Sequence, residues 1–262
     1  MIRKIFADKP AKLFIFLSAF FVANALIAEC IGGKLFSLEA LLGLEAKPFS
    51  LLGQDGLTYT LTCGVLLWPI EFVMTDIVNE YYGPKAVRRI SFIAIGLISY
   101  AFLMFYMAIA TPPNTAFWTG SQKENGVPDM QLAFSAIFGQ GMWIIFGSLV
   151  AFLVAQLLDS WVFHKIKQAT GEKMVWLRAT GSTMVSQLID SFIVLFIAFY
   201  LGPQHWSWQM VLAVGLVNYS YKAVAALVLT PVIYLIHAAI DRYFGKELSL
   251  EMRTAAMNKL ND

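Results

Sequence analysis

Six stretches of this chain are each long and apolar enough to cross a lipid bilayer, and no other feature restricts its fold as sharply. A spanning helix needs about 20 mainly apolar residues to cross about 30 Å of hydrocarbon. The stretches run from Leu13 to Ile31, Leu61 to Tyr82, Ile90 to Ala110, Phe134 to Phe163, Val175 to Leu201 and Met210 to Ile240. The fourth is longer than one span needs and is expected to tilt or protrude; the last two are also long. Composition agrees: 58% of residues are hydrophobic, 21 are Phe and only 14% are charged, against about 25% in an average soluble domain. That excludes an ordinary soluble enzyme and a disordered chain. A net charge of +2 leaves no basic footprint for a nucleic-acid partner. Cys30 and Cys63 are too few for a disulfide framework. The expected fold class is all-α: a polytopic membrane protein, residues 1–262 forming one bundle of six transmembrane helices in a single domain.

Basic residues flanking spans favour the cytoplasmic side. Fifteen of the nineteen Lys and Arg fall on one side: Arg3, Lys4, Lys9 and Lys12; Lys85, Arg88 and Arg89; Lys165, Lys167, Lys173 and Arg178; Arg242, Lys246, Arg253 and Lys259. The opposite side has Lys34, Lys47 and Lys123, and Lys222 lies inside the sixth stretch. Both termini are therefore expected in the cytoplasm. The first stretch has a basic start and Ala23-Asn24-Ala25, but its apolar run exceeds the 7–15 residues of a cleaved leader, so it is expected to stay as a span. Residues 32–60 form a long outer segment, with Phe49 to Leu61 expected as a short hairpin or re-entrant piece. Residues 111–133 form a second outer loop. The sequence assigns no role to the outer segments 36–56 and 119–129.

Charged residues inside spans are costly and mark pathways, pairs or substrate sites. The second stretch carries Glu71, Thr75, Asp76, Asn79 and Glu80, and Asp76, Asn79, Glu80 and Gly83 share a helix face. Asp76, Asn79 and Glu80 are expected to form a gate or structural clasp, with Arg88 or Arg89 neutralising one acid. Pro69 lacks a backbone donor, so a kink is expected just before Glu71. Residues 154–160 (VAQLLDS) recur 31 positions later as residues 185–191 (VSQLIDS). The first copy places Gln156 and Asp159, the second Gln187 and Asp190, on one face each. Gln156 and Asp159 are expected to be gating or structural. Counting about 1.5 Å per residue from the cytoplasmic ends puts Asn24, Glu71, Gln187, Asp190 and Lys222 in one layer near the midplane, where secondary transporters bind substrate. Trp68, Phe72 and Trp143 are candidate stacking faces.

No constellation for catalysis is present. There is no His-Glu-x-x-His pair, no Gly-x-Gly-Asp, no Gly-x-Ser-Gly and no phosphate-binding Gly-Lys loop, so no enzyme activity, cofactor or metal is expected. The segment Thr75-Asp76-Ile77-Val78-Asn79-Glu80-Tyr81-Tyr82-Gly83, followed by Lys85 and Arg88-Arg89, resembles the signature of the queuosine-precursor transporter family, also called vitamin-uptake-transporter-like. Ser186 to Ser191, Tyr221-Lys222 and Thr230 to Tyr234 resemble further family segments, and Asn24 to Lys34 resembles its first helix less sharply. The longer outer segment at 36–56 and the polar stretch at 119–129 depart from the pattern. The resemblance implies six spans in the bacterial inner membrane and import of a 7-deazaguanine base, such as 7-cyano- or 7-aminomethyl-7-deazaguanine, by a secondary or facilitative route. A carboxylate accepts from the two adjacent N–H groups of a guanine-type edge, and a Gln amide donates to the carbonyl; Asp190 and Gln187 supply that pair. Three alternatives stay open: a membrane subunit that needs a separate ATPase, a membrane enzyme, and assembly into a homo-oligomer.

Overall fold

A computed structural model describes residues 8–139, 141–171 and 174–258. Of the basic residues read from the sequence, Arg3, Lys4, Lys173 and Lys259 lie outside the described residues. The elements, in order, are α1 (Lys9–Ile31), β1 (Leu35–Ser37), α2 (Leu38–Leu41), β2 (Phe49–Leu51), β3 (Gln54–Leu57), β4 (Thr60–Thr62), α3 (Trp68–Tyr81), α4 (Pro84–Ala110), α5 (Met130–Phe138), α6 (Met142–Thr170), α7 (Val175–Leu195), α8 (Trp208–Phe244) and α9 (Lys246–Asn258). A 3₁₀ turn at Cys63–Leu66 leads into α3, and a π turn at Phe196–Tyr200 prolongs α7.

Among the described residues five helical stretches are long and apolar enough to span a bilayer: Lys9–Ile31, Pro84–Ala110, Met130–Thr170, Val175–Tyr200 and Trp208–Phe244. Large apolar side chains such as Phe16, Phe20, Phe92, Tyr100, Leu103, Leu227, Val228 and Leu235 face outward, while Asn24, Glu71, Asp76, Glu80, Asp159, Asp190 and Lys222 are buried. That arrangement inverts a soluble protein and fits hydrocarbon as the solvent, which rejects unpaired polar groups. The chain is an all-α, polytopic integral membrane protein, with small β elements confined to the segment before α3.

Two expected spans take a different form. The stretch from Leu61 to Tyr82 is not one helix: Leu61 pairs in β4 with Phe36 of β1, and Cys63–Leu66 form the 3₁₀ turn. The α-helix starts only at Trp68, because Pro69 has no amide hydrogen and fits the first turn rather than the interior. Pro69 therefore begins a helix and does not kink one. The stretch from Phe134 to Phe163 is divided between α5 and α6, with Gly139 and Gly141 at the break. Between β2 and β3 the turn runs through Leu52 and Gly53, both with positive φ, so the outer segment does hold the hairpin expected of it.

Side-chain contacts fix the helix directions. Thr75 and Asn79 of α3 bond Gln156 and Ser160 of α6; the constant offset means that α3 and α6 run parallel. Asn24 of α1 meets Leu67 and Glu71, while Tyr82 reaches the Pro10 carbonyl, so α1 and α3 are antiparallel. Asp190–Lys222 and Thr180–Thr230 make α7 and α8 antiparallel. Gly83 joins α3 to α4 with φ +85, and a Cβ there would lie 3.2 Å from the Ala256 carbonyl oxygen; only glycine admits both the turn and the docking of α9.

Candidate functional site

All residues of α3 from Glu71 to Tyr81 are buried, so this helix sits inside the bundle and carries three polar layers along its length. The first lies at its start. Asn24 Nδ2 of α1 donates to Glu71 Oε2 at 2.8 Å and to the Leu67 carbonyl at 3.2 Å. Lys222 of α8 pairs with Asp190 of α7, and its ammonium lies 5.2 Å from the centre of the Trp68 ring, a cation–π contact. Trp68 packs near Phe72 and Phe152. Glu29 of α1 accepts a hydrogen bond from Ser148 of α6 and lines the same void as Asn24, Trp68 and Glu71. Trp68 thus links the Asn24–Glu71 pair to the Asp190–Lys222 pair.

The second layer lies between the two α3–α6 bonds. Thr75 Oγ1 donates to Gln156 Oε1 at 3.1 Å and Ser160 Oγ to Asn79 Oδ1 at 2.6 Å. Asp76 of α3 and Asp159 of α6 lie between these clamps, both buried. Thr183 and Ser186 of α7 donate to Asp159 Oδ1 at 3.4 and 3.3 Å.

The third layer surrounds Glu80, whose side chain is fully buried. Lys167 Nζ of α6 lies 3.2 Å from Oε2, and Arg178 Nη2 of α7 lies 2.8 Å from Oε1. Arg253 Nε of α9 stands 3.7 Å from Oε1, and the same guanidinium holds Asp241 of α8. Tyr81 donates to Asp241 at 2.8 Å and stacks on His237.

These placements correct two expectations. Arg88 and Arg89 are exposed and do not neutralise Glu80; the first turn of α4 points them away, and cations from three other helices take that role. Trp143 is 45% exposed at the start of α6, beside Gly202, outside the first layer; Phe152 takes the aromatic position instead. Glu29 and Ser148 went unnoticed in the sequence. The available signal was an acid at the far end of an otherwise apolar helix, five residues beyond Asn24.

Among the described residues, Glu71 Oε1 and Gln187 Oε1 are buried without a hydrogen-bond partner. Buried polar atoms are nearly always satisfied, so such atoms mark places where water or a ligand belongs. A void of about 10 Å³ is lined by Asn24, Glu29, Trp68, Glu71, Ile98 and Phe152, among others, which is room for about one water molecule. The first layer is therefore closed around its polar atoms, and a larger solute enters only if Trp68 or a neighbouring helix moves.

The family model described as putative vitamin uptake transporter matches residues 62–236, which contain all of α3, α6 and α7 and the Lys222 segment of α8. A probable queuosine precursor transporter of Bacillus subtilis (strain 168) is 34% identical over 146 residues, 55% of this chain and 58% of that protein. The queuosine precursor transporter of Escherichia coli (strain K12) is 28% identical over 185 residues, covering 71% of this chain and 74% of the relative. A probable queuosine precursor transporter of Haemophilus influenzae (strain ATCC 51907 / DSM 11121 / KW20 / Rd) is 25% identical over 191 residues, 71% of this chain and 72% of the relative. No solved structure matches. With its three polar layers built almost wholly from residues inside the matched region, the chain belongs to the putative vitamin uptake transporter family.

Proposed function

We propose that this protein imports a queuosine precursor, a 7-deazaguanine base, across the bacterial inner membrane by a secondary or facilitative route, as one domain with six passes and both termini in the cytoplasm. The opposed directions of α1 and α3 and of α7 and α8, with α3 and α6 parallel, support six passes. In this reading α3 is the second pass, short because protein rather than lipid surrounds it. The names of the relatives support the substrate class.

The observation that carries the reading is in the first polar layer: Glu71 Oε1, an acceptor without a donor, lines a void beside Trp68, and Gln187 Oε1, likewise without a donor, lies on α7 one turn before Asp190. A guanine-type edge brings two adjacent N–H donors and a flat ring. Glu71, already oriented by Asn24, is the carboxylate that reads those donors, and Gln187 completes the edge. Trp68 and Phe72 supply the stacking faces. Asp190 is held by Lys222, so it acts through the pair, fixing the ammonium over Trp68 and balancing charge. Phe152 and Ile98 close the layer against water.

The test is uptake of radiolabelled 7-cyano-7-deazaguanine into liposomes containing the purified chain, without ATP. Uptake that unlabelled guanine-type bases inhibit and adenine does not is the expected result. Binding without uptake would assign the protein instead as the membrane subunit of an ATP-driven system, and absence of both would remove the proposed substrate class.

A further inference from the structure

The second polar layer holds two carboxylates that the proposed base site does not use. Asp76 is 1% exposed, and among the described residues neither of its oxygens has a hydrogen-bond partner. Asp159, 6% exposed, receives hydroxyl hydrogens from Thr183 and Ser186 on Oδ1, while Oδ2 has no partner. The two clamps Thr75–Gln156 and Asn79–Ser160 keep α3 and α6 in register, so both acids lie at nearly one level between them. Two carboxylates confined together in a dry site do not both ionise. The donors decide which one carries charge: Asp159 has hydroxyl support for a carboxylate, and Asp76 has none.

We propose that Asp76 and Asp159 together bind one proton, and that this proton is the coupling ion of the transport cycle proposed above. The proton resides on Asp76, whose O–H then donates toward Asp159 Oδ2, so two of the three unpartnered oxygens are satisfied in one step. A metal ion would need several oxygen lone pairs turned toward it; the Thr183 hydroxyl instead donates to Asp159, the Ser186 hydroxyl divides its hydrogen between Asp159 and the Thr183 carbonyl, and the Thr75 hydroxyl divides its own between Gln156 and the Glu71 carbonyl. The charged groups that act on Asp76 are Asp159 from α6, Arg178 from α7 and Glu80 on α3 itself. Arg178 is bonded to Glu80, so the pair's remaining counter-charge is supplied by the proton. When the layer opens to water, Asp76 gives the proton up, the two carboxylates repel, and the clamped α3–α6 contact loosens until it is reprotonated.

This inference rests on the transport reading, and the test separates the two. Proteoliposomes of the full chain are assayed for exchange of labelled against unlabelled 7-cyano-7-deazaguanine, and for net accumulation with the outside about one pH unit more acidic, the voltage being clamped with potassium and valinomycin. With one proton per base, wild type should accumulate up to about tenfold. Asp76→Asn and Asp159→Asn should still exchange but only equilibrate. A wild type that exchanges yet ignores the pH gradient, accumulates on a sodium gradient instead, or is matched in accumulation by both variants would overturn the proposal. A wild type that does not exchange at all removes the transport reading. The shared proton is then decided on purified protein by infrared spectroscopy: a protonated-carboxyl stretch present in wild type and lost in Asp76→Asn supports it, and no such stretch in wild type refutes it. Should the Asn variants aggregate, Asp76→Glu must keep both the stretch and the driven uptake.

Discussion

Replacing Glu80 with Gln removes a carboxylate that two fully buried cations share. Lys167 Nζ and Arg178 Nη2 stand 3.2 and 2.8 Å from its oxygens. At an effective dielectric of about 20, unit charges at such distances attract by roughly 5–6 kcal/mol per pair, most of which offsets the cost of taking them out of water. What remains decisive is the asymmetry: deleting one partner strands the others, at about 3–5 kcal/mol. Arg253 keeps Asp241 and is partly exposed, so it adds little. At roughly 2–4 °C per kcal/mol, Glu80→Gln should melt about 6–20 °C below wild type, read as the loss of monodisperse protein in detergent after heating. Arg88→Gln, on an exposed residue, should stay within about 0.5 kcal/mol of wild type. The double change Glu80→Gln with Arg178→Gln should cost less than the sum of the two singles by about 0.5–3 kcal/mol. If Glu80→Gln melts with wild type, or the two single losses simply add, the buried clasp is not the stabilising element described.

Further outcomes follow from other contacts. Asp190→Asn strands Lys222 and should lower the yield of folded protein, with Lys222→Met in the same chain restoring part of it; no rescue would mean the pair is not what holds the layer. Glu71→Gln should weaken binding of 7-cyano-7-deazaguanine at least about tenfold, or 1.4 kcal/mol, whereas Trp143→Ala should leave it unchanged, and equal affinity for Glu71→Gln would move base reading to another residue. Gly64→Ala places a Cβ 2.6 Å from the Ala28 carbonyl oxygen, a backbone clash that should cost about 1–3 kcal/mol in the same melting assay. In a background lacking Cys30 and Cys63, a cysteine at Ser121 should label from outside and one at Gln168 only after permeabilisation; the opposite pattern reverses the topology. Glu39, outside the spans, is held below the usual carboxylate range by the Tyr59 amide and the Ser37 hydroxyl. Its folded-state value lies below the unfolded one, so its contribution to ordering the β1–β4 segment is present at neutral pH and lost as the pH falls through the folded value. Limited proteolysis should show that acid sensitivity in wild type and not in Glu39→Gln.

What could be read from the sequence was whatever depends on composition and on local spacing. Apolar length located α1, α4, α7 and α8, and the polar run from Glu71 to Glu80 marked one face of the second stretch as a gate or clasp; its burial on every side from Glu71 to Tyr81 came only with the structure. Which helix lies beside which is not local information. Arg88 and Arg89 are the cations nearest Glu80 along the chain, yet Lys167 and Arg178, 87 and 98 positions away, meet it in space. The same limit applies to the repeat. Its two copies read alike, but they lie on adjacent helices and face different partners: Gln156 and Asp159 meet α3 and α7, while Asp190 meets α8. Helix ends were misjudged where glycine or proline overrides an apolar run, at Pro69 and at Gly139 and Gly141. Hydropathy sees only the run.

The length of α3 connects these observations. Fourteen residues rise about 21 Å, too short for about 30 Å of hydrocarbon. In contact with lipid, such a helix would expose its open first turn, where amide hydrogens lack partners. Here the preceding turn supplies the partner: the Ile70 and Glu71 amides both donate to the Leu67 carbonyl. Asn24 bonds the Leu67 carbonyl, and Glu71 sits in the first turn, where the positive end of the helix dipole favours an acid. The same short rod then carries Asp76 alongside the Asp159 stretch of α6 and ends in the Glu80 clasp. Because one rigid helix contributes to all three layers, and because two hydrogen bonds tie it in register to α6, α3 cannot shift at one layer without disturbing the other two. Opening the closed base site, separating the paired acids and straining the clasp are therefore one motion. A substitution in any layer should change the behaviour of the others, and Glu80→Gln should alter exchange rate as well as melting.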